Sequence, residues 1–397
     1  MSNKIREINL PPNLRPRLSQ GHPWVYRNQL PPDLSMPGGT WIKVRCGTFT
    51  AYGLWDARSP IAVRIFSQKQ VPDEVWVRER VLAAWAIRAP IRQQQKTNAY
   101  RWIFGEADGL PGITVDLYGQ YAVIQTYADS LETLKSWVVE SLQDVTPLKG
   151  ILEKRRLDSE ADDESPAKTQ LIWGNSPPRN LIIEEHGLRF RANLFEGQKT
   201  GLFLDHRENR HYLENWCAGK SLLNCFSYSG AFSVYAARGG ASQIVSCDIA
   251  PHTSADAIQN FTLNGFDPDQ HEFLTQDCFE LLTTYAQQGR KFDIIVLDPP
   301  SFARSIKNVH AALRGYSRLN QLALKCLTPE GLLVSASCTS YVSPDMFRDM
   351  LAQAAAGVGK RLLLLHDAGQ AVDHPVPAHF LEGRYLKFTM SRMHEIV

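Results

Sequence analysis

The sequence predicts an α/β protein in three parts, and its C-terminal half is expected to fold as an open, largely parallel sheet. After Glu184, apolar strands alternate with helical stretches, which is the pattern of such a sheet. Short β-like runs separated by Pro and Gly occupy residues 1–72 and predict a small β-barrel-like domain. Residues 73–187 combine a helical pattern with strand and turn signals, so we expect a small α+β domain there and the sheet domain over residues 188–397.

The composition is typical of a soluble globular protein. The 397 residues are 44% hydrophobic and 21% charged, which is enough apolar material for two or three cores. No apolar run approaches the ~20 residues that span a bilayer, and the first residues lack the apolar segment of a signal peptide, so we expect a cytoplasmic protein. The seven cysteines include no Cys-x-x-Cys pair, which favours thiols over disulfides or structural zinc.

Charge is unevenly distributed along the chain. The net charge is only +2, yet residues 1–101 hold 16 Lys and Arg against 6 Asp and Glu, while the remainder holds 27 against 35. A basic front end indicates a module that binds a polyanion, in which Arg17 and Arg27 would contact phosphates and Trp24 would contact unstacked bases. The alternative for each aromatic residue is a place in the barrel core.

The elements of the first two parts follow from strand, helix and turn signals. Gly39–Cys46 and Ile61–Phe66 are predicted strands of the barrel. A helix is predicted from Pro72 to Pro90, where the proline disturbs it, and Tyr121–Thr126 is predicted as a strand of the middle domain. The acidic segment Asp158–Ser165 lacks apolar residues, so we expect a flexible, solvated loop.

The third part opens with the pattern of a nucleoside-binding site. Ser221–Phe226 is a short apolar strand, Ser227–Gly230 is a turn of small residues, and Ala231–Arg238 is a helix. This order brings backbone amides and a helix N-terminus close to a bound nucleoside. The next strand, Gln243–Asp248, ends in a carboxylate 18 residues after Gly230, which is close to the spacing of an acid that binds ribose hydroxyls.

The turn also indicates which nucleoside cofactor would bind. A dinucleotide site needs Gly-x-Gly-x-x-Gly around the pyrophosphate, whereas this loop has a single early glycine, so a nicotinamide dehydrogenase is disfavoured. S-adenosylmethionine carries no phosphate and does not need that fingerprint. The third strand, Glu272–Gln276, ends at Asp277, which could accept from the adenine amino group. N-capping of the following helix is the alternative role for Asp248 and for Asp277.

Strands four and five complete the predicted crevice. Phe292–Leu297 leads into Asp298-Pro-Pro-Ser-Phe302, where the phenylalanine ring could stack on a planar base; a rigid turn with a buried ring is the alternative. After a predicted helix over Ala312–Leu327, the strand Leu332–Ser337 delivers Cys338 at its end. A lone cysteine there is often packing only, but ligands bind beyond the carboxyl ends of the central strands, which favours a catalytic role.

Six motifs of the chain are informative together: Lys199–Arg207, Asn224–Gly230, Asp298–Phe302, Arg314–Tyr316, Ser337–Thr339 and Asp373–Pro375. They resemble the motifs of a known family, the large-subunit ribosomal RNA cytosine-5 methyltransferases of the methyltransferase I type. In addition, Gly21-His-Pro-Trp-Val25 is similar to the start of that family's PUA RNA-binding domain. Gly105–Gly112 and Glu184–Gly187 resemble its central domain, so the resemblance covers nearly the whole chain.

The resemblance implies a Rossmann-like class I S-adenosylmethionine-dependent methyltransferase domain over residues 188–397, a PUA-like domain over residues 1–72, and large-subunit ribosomal RNA as the partner. Together with the strand-end pattern, it gives two sets of expected site residues. The residues expected at the cofactor are Lys199, Thr200, Gly201, Asp205, Arg207, Phe226, Ser227, Tyr228, Ser229, Gly230, Asp248, Ile249, Asp277, Cys278, Asp298 and Pro299. The residues expected at RNA are Arg17, His22, Trp24, Arg27 and Phe302.

The chemistry of the family implies a covalent route. Carbon 5 of cytosine is a weak nucleophile, so a Cys338 thiolate would first add to carbon 6 while Asp298 holds the pyrimidine edge. The base that later removes the carbon 5 proton is not assigned; Glu382 and His374 are candidates, with structural roles as the alternative. The wider group of RNA cytosine methylases includes enzymes with a second cysteine at the position of Ser301, so product release here would not use a second thiol.

Several alternatives stay open. The methyl group could go to uracil carbon 5 or to a purine nitrogen, and methylation of an amine would not need Cys338. The chain could also be a non-catalytic RNA-binding assembly factor that keeps the cofactor fold. The spacing of His366, His374 and His379 matches no helix-face pair of ligands, so no metal is expected. The oligomeric state is open, with a homodimer as one alternative.

Overall fold

The fold is taken from a computed structural model, in which residues 5–155, 168–303 and 305–396 are described. By its contacts, the chain divides into two compact units, each assembled from segments that are distant in sequence. The first unit is Met1–Glu184, Ala192–Leu204 and Asp373–Gly383, and the second unit is Glu185–Arg191, Asp205–Val372 and Arg384–Val397. The predicted acidic loop Asp158–Ser165 lies outside the described residues. The division into domains at residues 72 and 187 stays a prediction.

The first unit begins with a five-stranded sheet. Its elements are β1 Arg6–Asn9, α1 Arg15–Ser19, β2 Trp24–Tyr26, β3 Trp41–Cys46, β4 Phe49–Trp55 and β5 Ile61–Ser67. The strand order is β1-β3-β4-β5-β2, with β1 and β3 parallel and the other pairs antiparallel. Alternate residues of β3, namely Ile42, Val44 and Cys46, are fully buried, because successive side chains of a strand point to opposite faces.

A second five-stranded sheet follows in the same unit. Its elements are α2 Glu74–Ile87, α3 Ala89–Gln93, β6 Ala99–Phe104, β7 Ile113–Tyr118, β8 Tyr121–Thr126, α4 Glu132–Val145, β9 Gly150–Arg155 and β10 Lys168–Gly174. The strand order is β10-β9-β8-β7-β6, and the buried faces of α2 and α4 share one apolar core with the strands. Arg88 and Asp108, both buried, form a two-point ion pair at 2.6 and 2.8 Å beside α2.

Next in the chain, β11 Leu181–Glu185 and β12 Leu188–Ala192 form a two-stranded sheet.

The second unit contains a seven-stranded sheet with helices between its strands. Its elements are α5 Arg207–Glu214, β13 Ser221–Cys225, α6 Ala231–Arg238, β14 Gln243–Asp248, α7 Pro251–Leu263, β15 Glu272–Thr275, α8 Cys278–Gln288, β16 Phe292–Leu297, α9 Val309–Lys325, β17 Leu327–Ser337, α10 Pro344–Ala356, β18 Lys360–Ala368 and β19 Lys387–Glu395. The order is β15-β14-β13-β16-β17-β19-β18. The first five strands of this order are parallel, and β19 runs antiparallel to both of its neighbours.

The predicted open, largely parallel sheet is therefore confirmed. The predicted bounds of Tyr121–Thr126, Gln243–Asp248, Phe292–Leu297 and Ala231–Arg238 are those of the structure. The prediction for β17 was wrong at its start, because the strand begins at Leu327 rather than Leu332. In the described part of the chain, no helix is both long and apolar enough to cross a membrane.

Candidate active site

The parallel strands of the second unit end together at one edge of the sheet. Cys225 at the end of β13 pairs with Cys247 on one side and Leu297 on the other, and Leu297 pairs with Ser335. From Ser335, β17 continues to Ser337. The loops that follow these strands therefore lie along one edge, which we call the site edge. These loops begin at Phe226, Ile249, Asp298 and Cys338.

The loop after β13 has a backbone conformation that few residue types adopt. Phe226, Tyr228 and Gly230 have positive φ angles of 60°, 46° and 73°. A Cβ on Gly230 would lie 2.7 Å from the Cβ of Ala257 in α7, so both conformation and space require glycine. The amide of Tyr228 donates to Oδ2 of Asp248 at 2.9 Å. This bond ties the loop to the end of the neighbouring strand.

Asp248 is half-buried and keeps capacity for a ligand. Its Oδ2 accepts from Tyr228 N, and its Oδ1 accepts from Ala250 N at 3.0 Å. A carboxylate has about four lone-pair positions, so two further donors, such as the hydroxyls of a ribose, can be accepted. Ile249 beside it is 67% exposed and offers an apolar surface to a flat ring. The capping alternative is not what the structure shows for Asp248, because the N-cap of α7 is Ala250.

Asp277 and Cys278 begin α8 and support the site in different ways. Asp277 caps the helix, since its Oδ1 accepts from Glu280 N at 3.0 Å. Its other oxygen has no hydrogen-bond partner within the described ranges, so the capping role leaves room for a ligand. Cys278 is buried, and its thiol accepts from Phe226 N at 3.3 Å. Cys278 therefore fixes the backbone at the start of the loop after β13.

Asp298 contacts a histidine that the sequence analysis did not select. Its Oδ2 lies 3.4 Å from Nε2 of the buried His206. The amide nitrogen of Asn209 donates to Gly369 O at 3.1 Å and lies 3.2 Å from Nδ1 of His206. Because an amide nitrogen only donates, Nδ1 must accept, which assigns the imidazole proton to Nε2. His206 therefore presents an N–H group to Asp298.

Cys338 differs from the other six cysteines in its exposure. It is half-buried, whereas the others are buried, and no disulfide joins any of the seven. Hydroxyl groups connect the residues on both sides of it: Tyr316 OH lies 2.7 Å from Thr339 Oγ1 and accepts from Ser337 Oγ at 3.0 Å. Ser301 Oγ lies 3.0 Å from Thr339 Oγ1. This network fixes the loop after β16 to the loop after β17.

The motif Lys199–Arg207 is divided between the two units. In the first unit, Thr200 is buried and its Oγ1 donates to Asp116 Oδ2 at 2.6 Å. In the second unit, Asp205 is buried and its Oδ2 accepts from Tyr385 OH at 2.5 Å. Contact of this motif with a cofactor stays a prediction. The predicted residues are Lys199, Thr200 and Gly201 in the first unit, and Asp205 and Arg207 in the second.

Arg17 and His22, two predicted RNA contacts, form a cluster with Glu382 in the first unit. His22 is buried, and its Nε2 lies 3.1 Å from Oε1 of Glu382, which Arg17 also contacts at 3.2 Å. Burial lowers the pKa of His22, so the ring is neutral at neutral pH. His22 also lines a cavity of about 680 Å³ within this unit. Glu382, a candidate base, is thus engaged in an ion pair here.

The other three predicted RNA contacts pack against aromatic rings. Trp24 lies edge-on to the ring of Tyr26, with centroids 6.1 Å apart, and the Arg27 guanidinium lies 5.3 Å from the ring centroid of Trp55. In the second unit, the ring of Phe302 lies 4.5 Å from that of Tyr316. These three side chains therefore have packing roles, which was the alternative interpretation. Their contact with RNA stays a prediction.

Two residues at the site edge were missed by the sequence analysis, His206 and Lys387. His206 lies inside the motif Lys199–Arg207 but was not given a role. Lys387 is a lysine in the otherwise uncharged run Leu386–Met390, whose five residues are all buried. A single charge in a buried strand was the signal that could have found it. Across the described ranges, no three His, Cys, Asp or Glu side chains are placed to hold a metal ion.

Comparison with known proteins gives consistent results over most of the chain. A family model described as S-adenosylmethionine-dependent methyltransferase matches residues 164–364, and one described as a PUA-like domain matches residues 8–68. A protein of Shewanella amazonensis named ribosomal RNA large subunit methyltransferase I is 34% identical, over 97% of this chain and 99% of that protein. A protein of the same name from Aeromonas salmonicida is also 34% identical, over 93% and 95%.

Solved structures agree in fold. A structure described as a SAM-dependent methyltransferase from Streptococcus mutans has a TM-score of 0.86 at 23% identity, covering 98% of this chain and 100% of that one. A methyltransferase solved in complex with SAH has a TM-score of 0.88 at 24% identity, with the same coverage. The predicted fold, a Rossmann-like methyltransferase domain preceded by a PUA-like domain, is thereby confirmed.

Proposed function

Because the chain belongs to the ribosomal RNA large subunit methyltransferase I family of S-adenosylmethionine-dependent enzymes, we propose that it forms 5-methylcytosine in large-subunit ribosomal RNA. One observation supports carbon 5 as the atom that receives the methyl group. Cys338 is the half-exposed cysteine of the chain, and it follows β17. β17 pairs with β16, the strand that ends just before Asp298. Methylation of a pyrimidine at carbon 5 needs an accessible thiol, and methylation of a nitrogen does not.

The residues at the site edge fit S-adenosylmethionine. Asp248 keeps lone pairs for a ribose, Asp277 keeps an oxygen for the adenine amino group, and Ile249 offers an apolar surface for the ring. Ser229 Oγ in the loop after β13 is buried and has no hydrogen-bond partner in the described part of the chain, so a ligand can satisfy it. The cofactor, when bound, supplies the methyl group.

Cys338 and Asp298 have different roles in the reaction of the cytosine. The Cys338 thiolate forms a carbon–sulfur bond at carbon 6, and the electrons of the 5,6 double bond make carbon 5 nucleophilic. Asp298 holds the pyrimidine edge while charge develops on the ring, and the N–H of His206 keeps that carboxylate in place. After methylation, carbon 5 loses its proton to a base, the carbon–sulfur bond breaks and the thiolate is released.

The PUA-like domain is proposed to supply affinity for the ribosomal RNA. A target base must leave its stack to enter the crevice, which costs a few kcal/mol. The excess of Lys and Arg over residues 1–72, 10 against 3 Asp and Glu, provides favourable phosphate interactions that offset this cost. The domain therefore contributes to RNA binding rather than to the chemical step.

The test compares two cysteines at the two ends of β17. Methyl transfer to large-subunit ribosomal RNA from cells lacking the protein is measured with Cys338→Ala, and Cys326→Ala is the matched control. We expect activity to fall at least ~1,000-fold in Cys338→Ala and to persist in Cys326→Ala, with 5-methylcytosine as the product identified by mass spectrometry. Full activity in Cys338→Ala would refute the covalent route and favour a nitrogen target; methylated uridine would change the base.

A further inference from the structure

Lys387 is a buried lysine beside the proposed nucleophile. It is the first residue of β19 and pairs in the sheet with Ser337, the residue before Cys338. Its Nζ donates to Thr339 O at 2.6 Å and to Tyr385 O at 2.8 Å, and the residue is only 2% exposed. The ammonium group is thus held against the backbone that immediately follows the cysteine.

This ammonium group has no carboxylate partner among the residues that the structure describes. The charged groups that act on it are Cys338, when ionised, and Arg384, which carries the same sign. Burial lowers the pKa of Lys387 to about 8, so the side chain is still mainly protonated at neutral pH. A buried charge without a counter-charge is unfavourable. A sulfur anion at Cys338 supplies the missing negative charge.

We propose that Lys387 is a positioning residue that stabilises the thiolate form of Cys338. The inference rests on the proposed covalent role of that cysteine. The thiol proton leaves to solvent before the attack, and the sulfur electron pair forms the bond to carbon 6. When that bond breaks, the pair returns to sulfur, where the same ammonium group again stabilises the anion. Lys387 itself neither gives nor takes a proton in either step.

Among the described residues, Tyr316 and Arg384 also interact with this pair. Tyr316 in α9 interacts with Cys338 and accepts from Ser337 Oγ, but burial raises the pKa of Tyr316, so it remains uncharged. Arg384 lies before β19 and adds positive charge near Lys387. Within the described ranges, Lys387 is a buried cation that interacts with this thiol, so its removal should raise the pKa of the thiol.

The experiment measures the ionisation of Cys338 directly. The rate at which iodoacetamide alkylates this thiol is followed against pH in Lys387→Met, with peptide mass spectrometry resolving the site. We expect the pH midpoint to rise by about 1 unit, so that the rate at pH 7 falls roughly tenfold. Lys291→Met is the matched control, because Lys291 acts on Cys326 at the other end of β17. It should leave the Cys338 midpoint unchanged.

Further variants separate charge from structure and this inference from the proposed function. Lys387→Gln can still donate to the two carbonyl groups but is neutral, so it should show the same rise, whereas Lys387→Arg should retain most of the wild-type behaviour. An unmoved midpoint in folded Lys387→Gln overturns the inference. Alkylation needs no methyl transfer: if Cys338→Ala abolishes activity while the midpoint does not move, only this inference fails. Retained activity in Cys338→Ala defeats the proposed function instead.

Discussion

The two ends of β17 each place a cysteine near a lysine, but the burial of the partners is reversed. Cys326, before the strand, is fully buried, and burial raises its pKa to about 11; its neighbour Lys291 is exposed and donates to Lys325 O at 2.6 Å. At the other end, Cys338 is half-buried and Lys387 is buried. Proximity to a lysine therefore does not lower the pKa of a thiol when water screens the cation and the sulfur is desolvated.

The two edges of the seven-stranded sheet, each of which carries one of these cysteines, also differ in their other residues. The site edge carries the loop of Gly230 and the carboxylate of Asp298, whereas the opposite edge, where the parallel strands begin, carries Gly219 and Asp293. Each of these residues has a counterpart of the same type at the other edge. Matched substitutions can therefore separate catalysis from stability.

The largest difference should be the reactivity of the two thiols in the unmodified protein. At pH 7, a thiol with a pKa of about 11 is ionised to only about one part in ten thousand, and Cys326 is also shielded from reagent. We expect iodoacetamide to alkylate Cys338 at least ~1,000-fold faster than Cys326, as measured by peptide mass spectrometry under native conditions. Equal rates would remove the distinction between the two ends of β17.

The next largest effect concerns the two aspartates of β16 and its loop. Asp298→Asn should lower kcat about 100-fold, because an amide cannot replace the carboxylate that we propose holds the pyrimidine edge. Asp293 accepts from Ser221 N and Ser221 Oγ, both at 2.9 Å, so Asp293→Asn should instead lower the free energy of unfolding by about 1 kcal/mol and leave kcat within twofold. Steady-state kinetics and urea unfolding measure the two effects. A loss of kcat in both variants would contradict a catalytic role for Asp298 alone.

The smallest effect concerns the two glycines that flank β13. Gly219 and Gly230 have φ angles of 70° and 73°, but a Cβ on Gly219 meets no atom within 4 Å. Gly219→Ala should therefore cost about 1 kcal/mol of unfolding free energy from backbone strain alone. Gly230→Ala adds the collision with Ala257, so we expect about 2 kcal/mol more, together with weaker cofactor binding by calorimetry. Equal stability of the two variants would show that α7 can move away at no cost.

The sequence was most informative where strands are buried on both faces. β14 and β16 are mostly apolar, and an acid ends the first strand and follows the second, so both their bounds and their loops were predictable. The start of β17 was not, because the strand includes Glu330 with a φ angle of 59°, and its register against β16 passes from Leu327 directly to Leu332. The residues Thr328–Gly331, which are typical of a turn, therefore belong to an irregular part of the strand.

The candidate site was predictable only for residues carried by consecutive strand ends. Asp248, Asp298 and Cys338 lie at such ends, and parallel pairing alone brings their loops together. Lys387 reaches Cys338 through the antiparallel pairing of β17 with β19, whose register depends on residues about fifty positions apart. No local pattern encodes that pairing.

The interior position of β19 also bears on how the protein is made. A ribosome delivers β18 before β19, yet β18 joins the sheet through β19, and its Leu363 and Leu364 are largely exposed even in the finished fold. An emerging chain must therefore hold an unpaired apolar strand until the following one inserts beside β17. Because that insertion also brings in Lys387, the proposed stabilisation of the Cys338 thiolate requires β19 to be in place beside β17.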